Sequence, residues 1–280
     1  NDGDLDLVAG NDGNNRLYLN NGTSDPWNGV SGSDITADNQ TTRSMALGDV
    51  DGDGDLDLVV GNFQQANRLY LNNGTASPWN GVSGSDITAD SYSTRSVTLG
   101  DVDGDGDLDL ISGNSAQPNR LYLNNGMEGP WNGVSSSDIT VDNHFTESVA
   151  LGDVDGDDDL DLVAGNYGQV NRFYLNNGTV NPWNGISGSD ITTNCYDLTS
   201  VALGDVDGDG DLDFVAGNYE GVVNRLYLNN GSTDPWNGVN GSDIGTDTHY
   251  TSSVVLGDVD GDGDLDLVTA NLDVNDGNIR

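Results

Sequence analysis

The chain reads as an all-β protein, a β-propeller of four-stranded antiparallel blades. Three observations predict this: a period of about 52 residues, four short turn-bounded segments in each period, and no segment with an adequate helical period. The period is clearest in Leu-Gly-Asp-Val-Asp-Gly-Asp, which starts at Leu47, Leu99, Leu151, Leu203 and Leu256, with spacings of 52, 52, 52 and 53. Asn-Arg-(Leu/Phe)-Tyr-Leu-Asn-Asn-Gly follows the same rhythm from Asn15, Asn67, Asn119, Asn171 and Asn224, as does Pro-Trp-Asn-Gly from Pro26, Pro78, Pro130, Pro182 and Pro235. The array therefore holds five full repeats and a partial one, divided as 1–46 (partial start), 47–98, 99–150, 151–202, 203–255 and 256–280 (partial end).

Within the unit that starts at Leu47, four strands are expected. Strand A covers Ser44 to Asp49, B covers Asp57 to Gly61, C covers Arg68 to Asn72, and D lies near Asp86 to Thr88, each bounded by Gly, Asn, Asp or Pro. Strand B is apolar almost without alternation through Leu56, Leu58, Val59 and Val60, as a strand covered on both faces should be. A four-strand meander in a unit of this length is a propeller blade, whereas β-rolls and β-helices use much shorter repeats.

Composition agrees with many small cores better than with one large one, since only 34% of residues are hydrophobic. Forty-seven acidic residues, all Asp except Glu128, Glu147 and Glu220, face eight arginines and no lysine, for a formal charge of −39. Such a chain repels phosphate backbones and anionic lipid, so nucleic acid is excluded as a direct partner and cations are favoured. No run approaches the ~18 apolar residues of a membrane span, so direct membrane insertion is not expected. Cys195 is the only cysteine, which leaves no internal disulfide to staple a fold outside the cell. The opening residues match the tail of the motif at 49–57, so the chain is expected to be a piece of something longer.

The candidate metal ligands lie between strands A and B. The loops are Asp49, Asp51, Asp53, Asp55 and Asp57; Asp101, Asp103, Asp105, Asp107 and Asp109; Asp153, Asp155, Asp157, Asp159 and Asp161; Asp205, Asp207, Asp209, Asp211 and Asp213; and Asp258, Asp260, Asp262, Asp264 and Asp266. Carboxylates at loop positions 1, 3, 5 and 9 with a carbonyl from position 7 supply six or seven hard oxygens, a set that suits calcium better than magnesium. With no His or Cys in the loops, zinc is disfavoured. Five Asp in nine residues repel one another unless a divalent ion compensates, and the cost recurs in every repeat. Five calcium ions are expected, one per complete loop, taking the formal charge from −39 to −29. Two loops depart from the pattern. Asp158 stands where the others have Gly, which implies a strained turn, and the N-terminal copy keeps only Asp2, Asp4 and Asp6.

These loops, with the Leu-Asp-Leu-Val and Asn-Arg-Leu-Tyr-Leu-Asn-Asn-Gly strands, resemble FG-GAP or VCBS-type repeats, the units of integrin α-subunit propellers and of many secreted bacterial proteins. The resemblance spans essentially the whole chain. It implies that the Asp residues of the five complete loops bind calcium in the A–B hairpin of each blade, and it leaves function open among adhesion receptors, lectins and accessory domains of surface proteins.

Differences among the repeats concentrate in the B–C and D–A connections, which should emerge on one face while the A–B loops and C–D turns emerge on the other. The aromatics Phe63, Tyr92, Tyr167, Tyr196, Tyr219 and Tyr250 are expected to be exposed there, making that face the candidate surface for a protein or glycan partner. Trp27, Trp79, Trp131, Trp183 and Trp236 fit packing between blades better than a sugar-stacking platform. Arg16, Arg68, Arg120, Arg172 and Arg225 are expected to pair with nearby Asp residues or carbonyls. Asn21, Asn73, Asn177 and Asn230 head Asn-Gly-Thr/Ser sequons but read as turn residues. His144 and His249 sit at variable positions, and no nucleophile–base arrangement stands apart from the repeat, so no enzymatic activity is expected.

The sequence thus predicts an extracellular or cell-surface protein, of bacterial type, that acts as a calcium-stabilised structural or adhesive module and contacts neighbouring copies in an array or filament. The alternative is a multivalent carbohydrate-binding lectin with one site per blade.

Overall fold

Turn-forming residues at a fixed period divide the chain into successive antiparallel sheets, as seen in a computed structural model that describes residues 3–139, 141–191, 194–219, 221–246, 248–273 and 278–279. Asp2 and Glu220, which the sequence places in the partial first loop and in a B–C connection, lie outside the described residues. No helix occurs among them. One sheet comprises Gln40–Gly48, Asp57–Asn62, Arg68–Tyr70 and Ser85–Asp86, hydrogen-bonded in the order A-B-C-D with the short Asp12–Gly13 added outside A, and three four-stranded sheets repeat the A-B-C-D order up to Asp243. The first sheet holds Leu7–Ala9, Arg16–Tyr18 and Ser33–Asp34, corresponding to B, C and D. The last holds Tyr250–Gly257, Asp266–Asp273 and the short Asn278–Ile279.

Boundaries shift from the expected ones for local reasons. Strand A begins at Gln40 instead of Ser44, because a register shift between Thr42 and Ser44 carries it past Gly61 to pair Thr42 with Asn62, and Thr41 and Gln40 pair in turn with Asp12 and Gly13. Most of the expected 39–42 connection is therefore strand. Strand C stops at Tyr70 because the next ladder donor, the Asn72 amide, bonds the Asp57 carboxylate instead. Strand D is only two residues long.

The core consists of separate layers, each shared by two sheets. Val59, Leu69 and Ile87 of one sheet meet Val97, Leu110, Tyr122 and Trp131 of the next. Ile111, Leu121 and Ile139 then meet Leu162, Tyr174 and Trp183. Strand B feeds two layers at once, since Leu58 and Val60 belong to the layer before it and Val59 to the layer after it. This is why its sequence shows no alternation.

Adjacent strands A approach closely enough to bond across the layers: Val97 N–H donates to Ser44 Oγ at 3.0 Å, Val149 to Ser96 at 3.1 Å, and Val201 to Ser148 at 3.2 Å. Gly113 permits this spacing, because a Cβ there would lie 2.8 Å from Val149 Cγ1.

The tryptophans are packing residues. Trp183 is 4% exposed and its Nε1–H donates to the Tyr174 carbonyl at 3.0 Å. Trp27, which has no sheet of the described residues on its outer side, is 44% exposed. Trp183→Ala is therefore expected to lower the unfolding free energy by about 3–5 kcal/mol, and Trp27→Ala by less than about 1 kcal/mol, in denaturant titrations with calcium present.

Three of the repeated arginines, Arg68, Arg120 and Arg172, tie neighbouring sheets, while Arg16 and Arg225 pair with Asp34 and Asp243 of their own sheets. Arg68 pairs with Asp86 at 2.9 Å in its own sheet and with Asp38 at 3.1 Å from the preceding connection, and donates to the Gly84 carbonyl. Arg172 does the same with Asp190 and Asp142. The sequon residue Asn73 accepts from Thr75 and donates to the Ser77 and Asn80 carbonyls, the engaged geometry of a turn residue.

Candidate metal centre

Each Asp-rich loop leaves strand A at its terminal glycine and enters strand B at the ninth loop residue. In the loop from Asp49, Gly52 and Gly54 take φ of 76° and 91°. Their amides donate to Asp49 Oδ1 and Oδ2, both at 2.9 Å. Asp53 Oδ1 accepts from Asp55 N–H at 2.9 Å. The backbone thus curls around the first carboxylate, and the next two aspartates are brought to the same side.

In every complete loop three carboxylate oxygens converge within 4.8 Å of one another. The sets are Asp49, Asp51 and Asp53; Asp101, Asp103 and Asp109; Asp153, Asp155 and Asp161; Asp205, Asp207 and Asp213; and Asp258, Asp260 and Asp262. Positions 1 and 3 are common to all five, and position 5 or 9 supplies the third. With metal–oxygen distances of about 2.3–2.6 Å, opposite ligands on calcium stand about 5 Å apart, so this spread is that of a single coordination sphere. The donors fit a hard divalent cation, and one of them asks for it. Asp155 Oδ1 is buried with no hydrogen-bond partner.

The ninth residue has a second task. Asp161 is 1% exposed; its Oδ1 accepts from Asn176 N–H at 2.7 Å and its Oδ2 from Val154 N–H at 3.0 Å. Asp57, Asp109 and Asp213 repeat this clasp. Burial pushes the carboxyls of Asp109 and Asp161 up to about 7 and that of Asp57 to about 6, with the two amide donors pulling the other way. Burial also raises the third-position carboxyls of Asp51, Asp103 and Asp155, and their neighbouring carboxylates add to it. A bound cation opposes all of these shifts.

The seventh residues stand apart from the clusters. Asp107 turns its side chain toward the C–D turn, with Oδ2 2.6 Å from where a Cβ on Gly126 would lie, and Asp159 and Asp211 do likewise toward Gly178 and Gly231. Asp55, Asp57, Asp105, Asp157, Asp209, Asp264 and Asp266 fall outside the convergent sets while remaining in the same loops. Asp158 takes φ of 71° and its N–H still donates to Asp153 at 2.9 Å, so the loop from Asp153 keeps its shape in the left-handed region that glycine favours.

Sequence reasoning missed the asparagines that close strand C. Asn124 Nδ2 donates to Val50 O in the preceding loop at 2.9 Å and to Leu108 O in its own loop at 3.0 Å. Asn176 and Asn229 make the same double contact. The signal was present in the unbroken recurrence of Leu-Asn-Asn-Gly.

On the opposite face the B–C and D–A connections do come together, with Gln64 N–H donating to Tyr92 O at 2.9 Å and Thr41 N–H to Gln65 Oε1 at 2.8 Å. Of the six aromatics expected to be exposed there, only Tyr167 is, at 39%. The others are half-buried because they stack: Phe63 on Arg43 and Arg95, Tyr92 on Arg120, Tyr196 on Arg225, and Tyr219 against Tyr250 at 4.8 Å.

The sequence profile of the FG-GAP-like repeat matches residues 1–60, 49–112, 101–164, 153–216 and 205–269. No curated protein matches the chain. Among solved structures, one similar fold is that of an Agrocybe aegerita lectin described as recognising non-reducing terminal N-acetylglucosamine. Its TM-score is 0.62 at 16% identity, over 94% of this chain and 70% of the lectin. The BBS1N domain, solved in complex with ARL6DN, gives 0.55 at 14% identity over 95% and 72%. The V. cholerae biofilm matrix protein Bap1 gives 0.46 at 19% identity over 83% and 35%. At these identities the first two likenesses speak to fold.

Proposed function

The chain belongs to the FG-GAP-like repeat family, and on that premise we propose that it is an extracellular, calcium-stapled β-propeller segment, a non-catalytic structural or adhesive module of a surface protein. The observation that carries this reading is the convergence of three carboxylates in each of five loops, one of them with an orphaned buried oxygen. Calcium at extracellular levels suits loops of this kind, whose Kd values run about 10⁻⁴ to 10⁻³ M. The ion then takes the stapling role that disulfides have in other secreted proteins. With the metal loops on one face, the opposite face of variable connections is left for a partner. Native mass spectrometry after calcium dialysis is expected to show five ions per chain, all released by EGTA. A chain that retains no ion at millimolar calcium would overturn the reading.

A multivalent lectin is the second reading, favoured by a groove that recurs at successive sheet boundaries. Asp138, Asp142, Arg172 and Asn184 line one instance, and Asp190, Asn194, Arg225 and Asn237 line the next, with volumes of about 470 and 460 Å³. The tryptophans behind these grooves are buried, so a sugar held there would rely on polar contacts.

A further inference from the structure

One cavity is larger than the recurring grooves and is built from unlike residues. It lies on the face away from the metal loops, has a volume of about 700 Å³, and is lined by Arg95, Phe145, Glu147, Tyr167, Thr199 and Tyr219 among others. That size is within the range of small-ligand sites. Its composition follows from a departure from the repeat. The residue skipped at the register shift of each strand A holds an equivalent position in the fold, yet Arg43, Arg95, Glu147, Thr199 and Ser252 occupy it in turn. The residue following strand B changes likewise, from Phe63 through Ser115 and Tyr167 to Tyr219. Buried positions of strand B vary only among small and apolar residues, as in Val60, Ser112, Ala164 and Ala216, whereas the skipped position passes from cation to anion to hydroxyl, a range that packing does not require.

The walls pair two kinds of surface. On one side Arg95 Nε lies 3.6 Å from Glu147 Oε1, and the Arg95 guanidinium rests over the Phe63 ring at 5.1 Å. On the other, Tyr167 and Tyr219 stand 6.3 Å apart at 59°, with Phe145 and Tyr167 showing 45% and 39% of their surface. Aromatic faces take the C–H face of a pyranose ring. The guanidinium–carboxylate pair offers donors and acceptors side by side, which is what vicinal hydroxyls, each both donor and acceptor, can use together. The pair is neutral in sum. A polyanion is opposed by the −39 charge of the chain, and a cationic side chain would meet Arg95 at the wall. An uncharged polyhydroxylated ligand meets neither penalty.

We infer that this cavity is a single binding site for a residue of a neutral saccharide, with Tyr167 and Tyr219 as the stacking faces and Arg95, Glu147 and Thr199 as the hydroxyl-binding groups. It rests on the variable face being the partner surface and gives the chain one glycan site instead of one per blade. Isothermal titration of the calcium-loaded chain with neutral gluco-, manno-, galacto- and N-acetylglucosamine oligosaccharides tests it. Expected is saturable binding of one equivalent per chain to at least one of them, weakened about tenfold or more by Tyr167→Ala and by Glu147→Gln, and unchanged by Asn237→Ala in the recurring groove. If Tyr167→Ala fails to fold by circular dichroism, Glu147→Gln and Thr199→Val decide. Several equivalents per chain, or loss on Asn237→Ala, would move the sugar to the grooves and overturn the inference. Binding of an oligoarginine peptide in place of any saccharide would overturn the ligand class, and no saccharide binding would overturn the site. Failure of the calcium reading is separate, showing as absent ions with saccharide binding at Tyr167 intact.

Discussion

In excess EGTA the chain is expected to melt about 20 °C or more below its midpoint in millimolar calcium, the largest effect that any solution change should produce. At calcium about 100 times Kd each site contributes roughly 2.7 kcal/mol, and for a chain of this size each kcal/mol moves the midpoint by about 2–4 °C. Five sites of that strength rival the ~5–15 kcal/mol net stability of an ordinary domain.

The pH dependence should invert at the same time. Asp57, Asp109 and Asp161 have folded-state values of about 6, 7 and 7 against 3.8 for a free side chain, so the metal-free fold holds their protons more tightly than the unfolded chain does. Its stability is then greatest below about pH 4 and falls as pH rises through 6 to 7. With calcium the carboxylates are wanted ionised, and stability rises over that interval. Melting curves in EGTA that match those in calcium, with the same slope against pH, would sink the metal account.

Asp161→Ala should be the most damaging substitution in the loops. It leaves the buried amides of Asn176 and Val154 without an acceptor and removes one oxygen of the Asp153, Asp155 and Asp161 set. At about 1–3 kcal/mol for each orphaned donor, a loss of about 3–5 kcal/mol is expected in denaturant titration. Asp159→Ala, whose side chain faces the C–D turn, should cost under about 1 kcal/mol. Chelator separates the two tasks of the loop. The Asp161→Ala deficit should persist in EGTA because its amides stay orphaned, whereas that of Asp155→Ala should vanish. Equal deficits for Asp159→Ala and Asp161→Ala would contradict the division of labour.

Period and composition made the sheets and the loops legible in the sequence. Strand B was readable because packing on both faces leaves an unmistakable Leu-Val-Val run, and the loops because five aspartates at alternate positions have few other physical explanations. The short strands C and D were not readable to the residue, since side-chain acceptors such as Asp57 intercept the ladder, and their choice depends on distance in space. The same limit hid the role of Asn124, whose partners lie in two loops, one of them in the preceding repeat. On the variable face the aromatics could be named, but Phe63, Tyr92 and Tyr196 lie against arginines whose positions only folding reveals. The Arg95–Glu147 pairing across successive repeats is of this kind.

The layered interior has a bearing on damage and repair. Since each apolar layer belongs to two neighbours and never to three, a lesion in one sheet is felt next door and hardly beyond, as in a column of stacked plates. A flaw at the rim of the array costs one contact. The same flaw in its middle severs two, and leaves the halves to hold together by their own layers.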